Sequence, residues 1–138
     1  MHYLDSNVFI FARYDRGIMG ENARKILRLI EENKASAITS ALTLDEVIFI
    51  LQKLIGYRES INYAETIFKI FNLKIVPVSS EDVLQSLELM KIGLKPRDAI
   101  HASVALSHGI FTIVSEDKDF KKLKNLDCIS LSEFLKKF

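Results

Sequence analysis

Cysteine is almost absent from this chain. Cys128 is the only one in 138 residues, so no internal disulfide can form, and its place in the apolar pair Cys128-Ile129 gives it the expected role of a small buried hydrophobe rather than a nucleophile. Long hydrophobic runs are missing too. The longest clear one, Val47 to Leu51, is far short of the roughly 20 residues a membrane span needs, and the first residues carry neither a basic region nor a cleavage pattern. A cytoplasmic protein is expected. Proline and glycine are scarce, two and five respectively, and no repeat, low-complexity tract or linker divides the chain. With 49% hydrophobic residues, residues 1–138 are expected to form one domain that buries about two-thirds of the unfolded surface.

An excess of one charge is also lacking, since the net value is +1. The distribution is less even than the total. Setting aside five acids at candidate positions (Asp5, Glu46, Asp98, Asp117 and Asp119) takes the 18 acidic residues to 13 against 19 Lys+Arg, a remainder of +6. An acidic pit inside excess positive charge suits a metal at the centre and a polyanion around it, although many of these lysines simply solvate helices.

What is present is an alternation of short strands and helices. Tyr3-Leu4 leads into the cap-forming Asp5-Ser6-Asn7 and a helical run from Val8 to Arg13. Asn22 to Asn33 reads as an amphipathic helix, Ala37 to Thr39 as a strand, and Leu42 to Ile55 as an apolar helix stopped by Gly56. Another helix is expected over Ile61 to Phe71, then a strand over Lys74 to Val78. Ser79-Ser80-Glu81-Asp82 starts a helix from Val83 to Ile92, ended by Gly93, and Pro96 suits the first turn of one that reaches about His108. Phe111 to Val114 is a strand. Ser115 to Lys118 is a turn, Asp119 is a candidate cap for a short helix at Phe120-Lys121-Lys122, and Cys128 to Leu131 and Ser132 to Phe138 close the chain as strand and helix. Strands separated by helices need right-handed crossovers and give a parallel α/β sheet covered on both faces. Ligands in such sheets bind beyond the carboxyl ends of the strands, where Asp5 and Asp117 stand.

Each acid has an ordinary explanation when taken alone. Asp5 can cap the following helix, Asp98 can oppose a helix dipole after Pro96, and Asp117 and Asp119 can make an Asx turn and a cap. Glu46 is different, because Phe49 and Ile50 lie three and four residues further along its helix and draw that face toward burial. A carboxylate there needs a partner, and a metal supplies one. Asp45 lies about a quarter-turn away; either acid can point inward, and Glu46 is favoured. Carboxylates without cysteine, and without histidines at ligand spacing, select Mg2+ or Mn2+ over zinc. His101, one turn beyond Asp98, reads more readily as a packed or solvated histidine than as a site residue.

Taken together, these residues form a pattern. Asp5-Ser6-Asn7 after the first strand, Ser40 and Glu46 around the third helix, Pro96-Arg97-Asp98-Ala99 opening a late helix, and Ser115-x-Asp117-x-Asp119-Phe120 after the fourth strand resemble the PIN-domain nucleases, particularly the small VapC-type toxins. The resemblance implies that Asp5, Glu46, Asp98 and Asp117 are the acidic quartet, Asp119 an accessory acid, and Ser6, Asn7 and Ser115 supports. It also implies a PIN-like α/β fold with a doubly wound parallel sheet of four to five strands flanked by helices, an RNA substrate, one or two Mg2+ or Mn2+ ions, homodimerisation and a cognate antitoxin. Ser115 departs slightly from the Thr frequent in the family, and either hydroxyl can orient a carboxylate or water. A haloacid-dehalogenase-like phosphatase calls for Asp where the chain has Asn7, and a receiver-like domain for paired acids after the first strand. The serious alternative is an inactive PIN-like binding module, which would be expected to have lost one of the four acids. The run Val47-Ile48-Phe49-Ile50-Leu51 puts apolar residues all round one helix, so its surplus face is either a dimer interface or covered by the next helix.

Overall fold

The computed structural model describes residues 1–138. The first strand, β1 (His2–Leu4), is followed by helices α1 (Ser6–Tyr14) and α2 (Ile18–Glu31), then by strand β2 (Ala37–Ser40) and helices α3 (Ala41–Ile55) and α4 (Tyr57–Phe68). Strand β3 (Leu73–Val76) precedes α5 (Ser80–Lys91) and α6 (Pro96–Ser107). Strand β4 (Thr112–Val114), a 3-10 helix over Lys118–Lys122, strand β5 (Asp127–Ile129) and helix α7 (Leu131–Leu135) complete the chain.

All strand pairs are parallel, and the order across the sheet is β3-β2-β1-β4-β5. The parallel sheet expected from the alternation is what forms, doubly wound as the resemblance implies and with five strands. Successive strand residues point to opposite faces, and this divides the core in two. Leu4, Ala37 and Val114 face a core built with Val8, Phe9, Ile26, Val47, Leu51 and Phe134. Tyr3, Ile38 and Ile113 face a second one built with Ala102, Val104, Phe120 and Leu126. Helices α1 to α4 and α7 thus cover one face, and α5, α6 and the 3-10 helix cover the other.

Winding proceeds outward from β1 in both directions, with β2 and β3 on one side and β4 and β5 on the other. The junction of β1 and β4 is the switch point, and a crevice opens there beyond the carboxyl ends of the two strands. Register places Leu4 beside Val114, so the residues that follow each strand emerge side by side.

Local chemistry accounts for most element boundaries. Asp5 caps α1 by accepting from the Ser6 amide, and Ser79 and Asp82 make a reciprocal capping box at α5. Several boundaries differ from the expected ones. Helix α4 begins at Tyr57 rather than Ile61, because Gly56 turns the chain with a φ of 90 degrees that other residues resist. It ends at Phe68, and β3 is complete by Val76. Strand β5 covers Asp127–Ile129, with Leu131 opening α7 behind the Ser130 cap. The helix after β4 is capped by Asp117 and not by Asp119, because Asp117 stands in extended backbone and its carboxylate reaches forward to the Asp119 amide. No helix is long and apolar enough to cross a membrane.

Candidate active site

Asp5 leaves the end of β1, with its amide donating to the Val114 carbonyl of β4. Its side chain is buried and held from three directions. The Ser6 amide donates to Oδ1 at 2.8 Å, the Ser6 hydroxyl lies 3.5 Å from the same oxygen, and the Ser115 hydroxyl donates to Oδ2 at 2.6 Å. Ser115 in turn accepts from Asn7 Nδ2 at 3.0 Å and from the Asp117 amide at 2.9 Å. This one hydroxyl links the turn after β1 to the turn after β4, and it uses its donor and both lone pairs to do so. Asn7 Oδ1 is left buried without a partner, an unmet acceptor on the side chain that donates to Ser115.

Glu46 approaches from the other side. Helix α3 is aimed by Thr39, whose hydroxyl donates to the Leu4 carbonyl at 2.8 Å and lies 2.6 Å from the Thr43 hydroxyl. Glu46 is consequently buried, while Asp45 is exposed and sits 4.0 Å from Arg97. The favoured orientation of these neighbours is the observed one.

Helix α6 contributes Asp98 and, one turn later, His101. His101 is completely buried, as a packed histidine should be, but it packs into the acidic site. Nε2 makes a short contact with Glu46 Oε1 and lies 3.7 Å from Asp5 Oδ1, while Nδ1 lies 2.6 Å from the Tyr3 hydroxyl. Tyr3 donates to Ser40 at 2.8 Å, so Nδ1 must donate to Tyr3, and Nε2 must donate to a carboxylate that offers only lone pairs. Two donors make the ring an imidazolium. Burial works against that charge, yet the hydrogen bond to Glu46 and the charges of Asp5, Glu46 and Asp98 outweigh it and raise the His101 pKa. In the sequence alone His101 reads as a packed or solvated residue, and the structure places it between the acids. The signal available was its i+3 spacing from Asp98, which puts both on one face of α6.

The acids fall into two groups. Asp5, Glu46 and His101 form a buried inner trio, and Asp98, Asp117 and Asp119 form a half-buried outer trio; within each, ligand atoms lie within 4.8 Å of one another. Burial pushes the Asp5 pKa up, with Glu46 adding to the rise, while His101 and Ser115 oppose it. Burial also pushes Asp98 up to about 7, reinforced by the charges of Asp117 and Asp5. In the outer trio the nearest cation is Lys122, 3.7 Å from Asp119. Converging carboxylates with an unmet charge balance are the donor chemistry of a hard divalent cation, and the residues fit one. Asp98, Asp117 and Asp119 would hold it, with Asp5 and Glu46 behind them. Cys128, half-buried, donates its thiol toward the Ser115 and Asp117 carbonyls at 3.6 Å, and burial pushes its pKa up to about 11. It braces the turn carrying Asp117 and remains a thiol.

An open cleft of about 520 Å³ exposes the site, lined by Glu46, Lys95, Pro96, Arg97, Asp98 and Asp117. The sequence profile of the PIN domain family matches residues 2–126. The chain belongs to the PIN domain family. No curated protein sequence matches this PIN domain. Among solved structures it is similar in fold to Mycobacterium tuberculosis VapC20, described as a Sarcin-Ricin loop cleaving toxin, with a TM-score of 0.75 at 18% identity over 92% of this chain and 98% of that one. Rickettsia felis VapBC2, bound to a promoter DNA fragment, gives 0.71 at 21% identity over 94% and 98%. DNA-bound VapBC from Salmonella typhimurium gives 0.71 at 20% identity over 94% and 97%. At these identities the likeness establishes the fold.

Proposed function

We propose that this PIN domain is a metal-dependent endoribonuclease, the toxin of a toxin–antitoxin pair, acting in the cytoplasm as a homodimer. The observation that carries the reading is the convergence of Asp5, Glu46, Asp98 and Asp117, from four separate elements, at the sheet's switch point beneath a cleft edged by Lys95 and Arg97. One or two Mg2+ or Mn2+ ions would supply Lewis-acid activation of water and neutralise charge on the phosphate. The chain's own residues do the rest. Asp98, Asp117 and Asp119 offer the oxygens that bind the cation, and Asp5 is kept in register by Ser6 and Ser115. His101 holds Glu46 and Asp5 together without introducing a further net negative charge, and Asn7 offers an acceptor that can orient a water. Lys95 and Arg97 attract the polyanion to a cleft whose floor would otherwise repel it.

Similarity to VapBC complexes supports an antitoxin partner, and exposed Ile50, Leu54 and Tyr57 supply an apolar ridge for the second copy. The test is cleavage of total cellular RNA in magnesium or manganese. Cleavage should be abolished by EDTA, and Asp5→Asn, Glu46→Gln, Asp98→Asn and Asp117→Asn should each lower it on the order of 10²-fold or more. Equal cleavage by the wild type and all four variants would identify a contaminant. A folded wild type that binds RNA without cutting it would instead favour an inactive PIN-like module.

A further inference from the structure

Phe49 is a large aromatic ring left in water beside the acidic cleft. It stands on α3 one turn beyond Glu46 and is 45% exposed. The ring is flanked by cations: the guanidinium carbon of Arg97 lies 5.4 Å from its centroid and Lys53 Nζ 5.0 Å from it. Arg97 is also part of the cleft wall, next to Asp98, and Lys95 adds a further cation to the same wall. The surface running from the carboxylates to Phe49 therefore passes from candidate metal-binding oxygens, through the Arg97 guanidinium, to a part-exposed aromatic ring.

We propose that Phe49 and Arg97 form the stacking platform for the nucleobase next to the scissile phosphate of single-stranded RNA, with Lys95 and Lys53 against the flanking backbone. The inference rests on the ribonuclease reading and adds how the strand is held. A carboxylate floor repels a polyanion everywhere except at its cation, so affinity has to come from the rim. Base–aromatic stacking contributes about 1–3 kcal/mol per base and tolerates any base. Arg adds a planar cation to the same stack. A single strand is required because a duplex keeps its base faces stacked inside.

The competing occupant is a protein, either a second copy or an antitoxin helix. An apolar partner is better served by Ile50 and Leu54, about 100 degrees round the helix from Phe49 and Lys53. Covering Phe49 with apolar surface would desolvate Lys53 without pairing it and leave Arg97 only its long 4.0 Å contact with Asp45, whereas phosphates pair both.

The experiment uses full-length Asp98→Asn protein and short oligoadenylates and oligouridylates carrying a fluorescent adenine analogue, quenched on stacking, at successive positions. Quenching is expected at one position relative to the bound end. Phe49→Ala should remove the quench and weaken binding about tenfold, and Phe49→Trp should restore both while Phe49→Leu restores neither. Phe68→Ala, an exposed aromatic at the carboxyl end of α4 and outside the cleft lining, should change nothing. In protein with Asp98 intact, Phe49→Ala should raise KM for RNA cleavage by a similar factor and move kcat much less.

RNA that binds Phe49→Ala with unchanged affinity and quench would overturn the platform and leave the nuclease reading standing. If Phe49→Ala instead abolishes self-association in sedimentation while RNA affinity is kept, the ring belongs to a protein interface and the proposal is wrong. A wild type that neither binds nor cuts RNA removes both readings together.

Discussion

The inner and outer acidic trios use the same side-chain chemistry and differ in what neutralises them. Asp5 and Glu46 share the buried imidazolium of His101, whereas Asp98, Asp117 and Asp119 have one peripheral lysine and open onto the cleft. The inner group thus carries its own counter-charge within the fold, whereas the outer group has only Lys122 and, on the proposed function, would be completed by a cation from solution. A buried ion pair contributes little net stability when intact and costs much when one partner is removed. A cluster of like charges does the reverse, so that removing one member relieves repulsion. Charge deletion should therefore have opposite signs in the two trios.

The largest effect is expected at His101. His101→Leu leaves two buried carboxylates facing each other and should lower unfolding free energy by about 3–5 kcal/mol, read by chemical denaturation. Glu46→Leu combined with His101→Leu should recover a good part of that loss, because replacing both partners with apolar groups is far cheaper than orphaning one. If the double variant is no more stable than His101→Leu, the pair is not a unit and the contrast between the trios collapses.

Asp98→Asn should act the other way. In the metal-free protein the folded state keeps the Asp98 proton to about pH 7, while the unfolded chain releases it near the ordinary value of 3.8. The folded state binds more protons at this site across that window, so the Asp98 contribution to stability is fully present below about pH 4 and is lost as pH rises toward 7. Asp98→Asn lacks this fall, and in EDTA at pH 7.5 its Tm should exceed that of the wild type. Magnesium should raise the wild-type Tm by mass action and the variant's much less. Equal magnesium shifts in both proteins would remove Asp98 from the metal site.

Smaller effects sharpen the outer boundary of the site. Asp119 contributes one carboxylate at the edge of its trio, already engaged with Lys122, so Asp119→Asn should reduce cleavage by roughly tenfold, less than loss of any quartet acid. Cys128→Ser keeps a donor for the Ser115 and Asp117 carbonyls and should leave kcat unchanged, with a stability change within about 1 kcal/mol. A large loss of cleavage in a folded Cys128→Ser protein would mean that the thiol does more than brace the turn.

Much of this site is legible in the amino-acid sequence. Asp5 and Asp117 follow strands, Glu46 has apolar neighbours at helical spacing, and Asp98 follows a proline at a helix start; each of these signals is local. Less legible are the residues whose roles cross the sheet. His101 reads as packing because its partners, Glu46 and Tyr3, are 55 and 98 residues away in the chain. The capping role expected of Asp119 falls to Asp117, since which of two nearby acids caps a helix depends on a single backbone conformation. Phe49 reads simply as part of an apolar run, because its flanking Arg97 comes from another helix.

By itself the sequence determined the order of strands and helices, most caps, and the stock of acids at element ends, because propensity, capping and periodicity are set by neighbours within a few residues. Only the tertiary structure decided that β1 would lie between β2 and β4, and hence that the turns carrying Asp5 and Asp117 would meet across the Ser115 hydroxyl. It also decided that one imidazolium would be spent on the inner acids and none on the outer ones. The reason is that burial and Coulomb interaction depend on distance in space, and the distances that matter here join residues far apart along the chain.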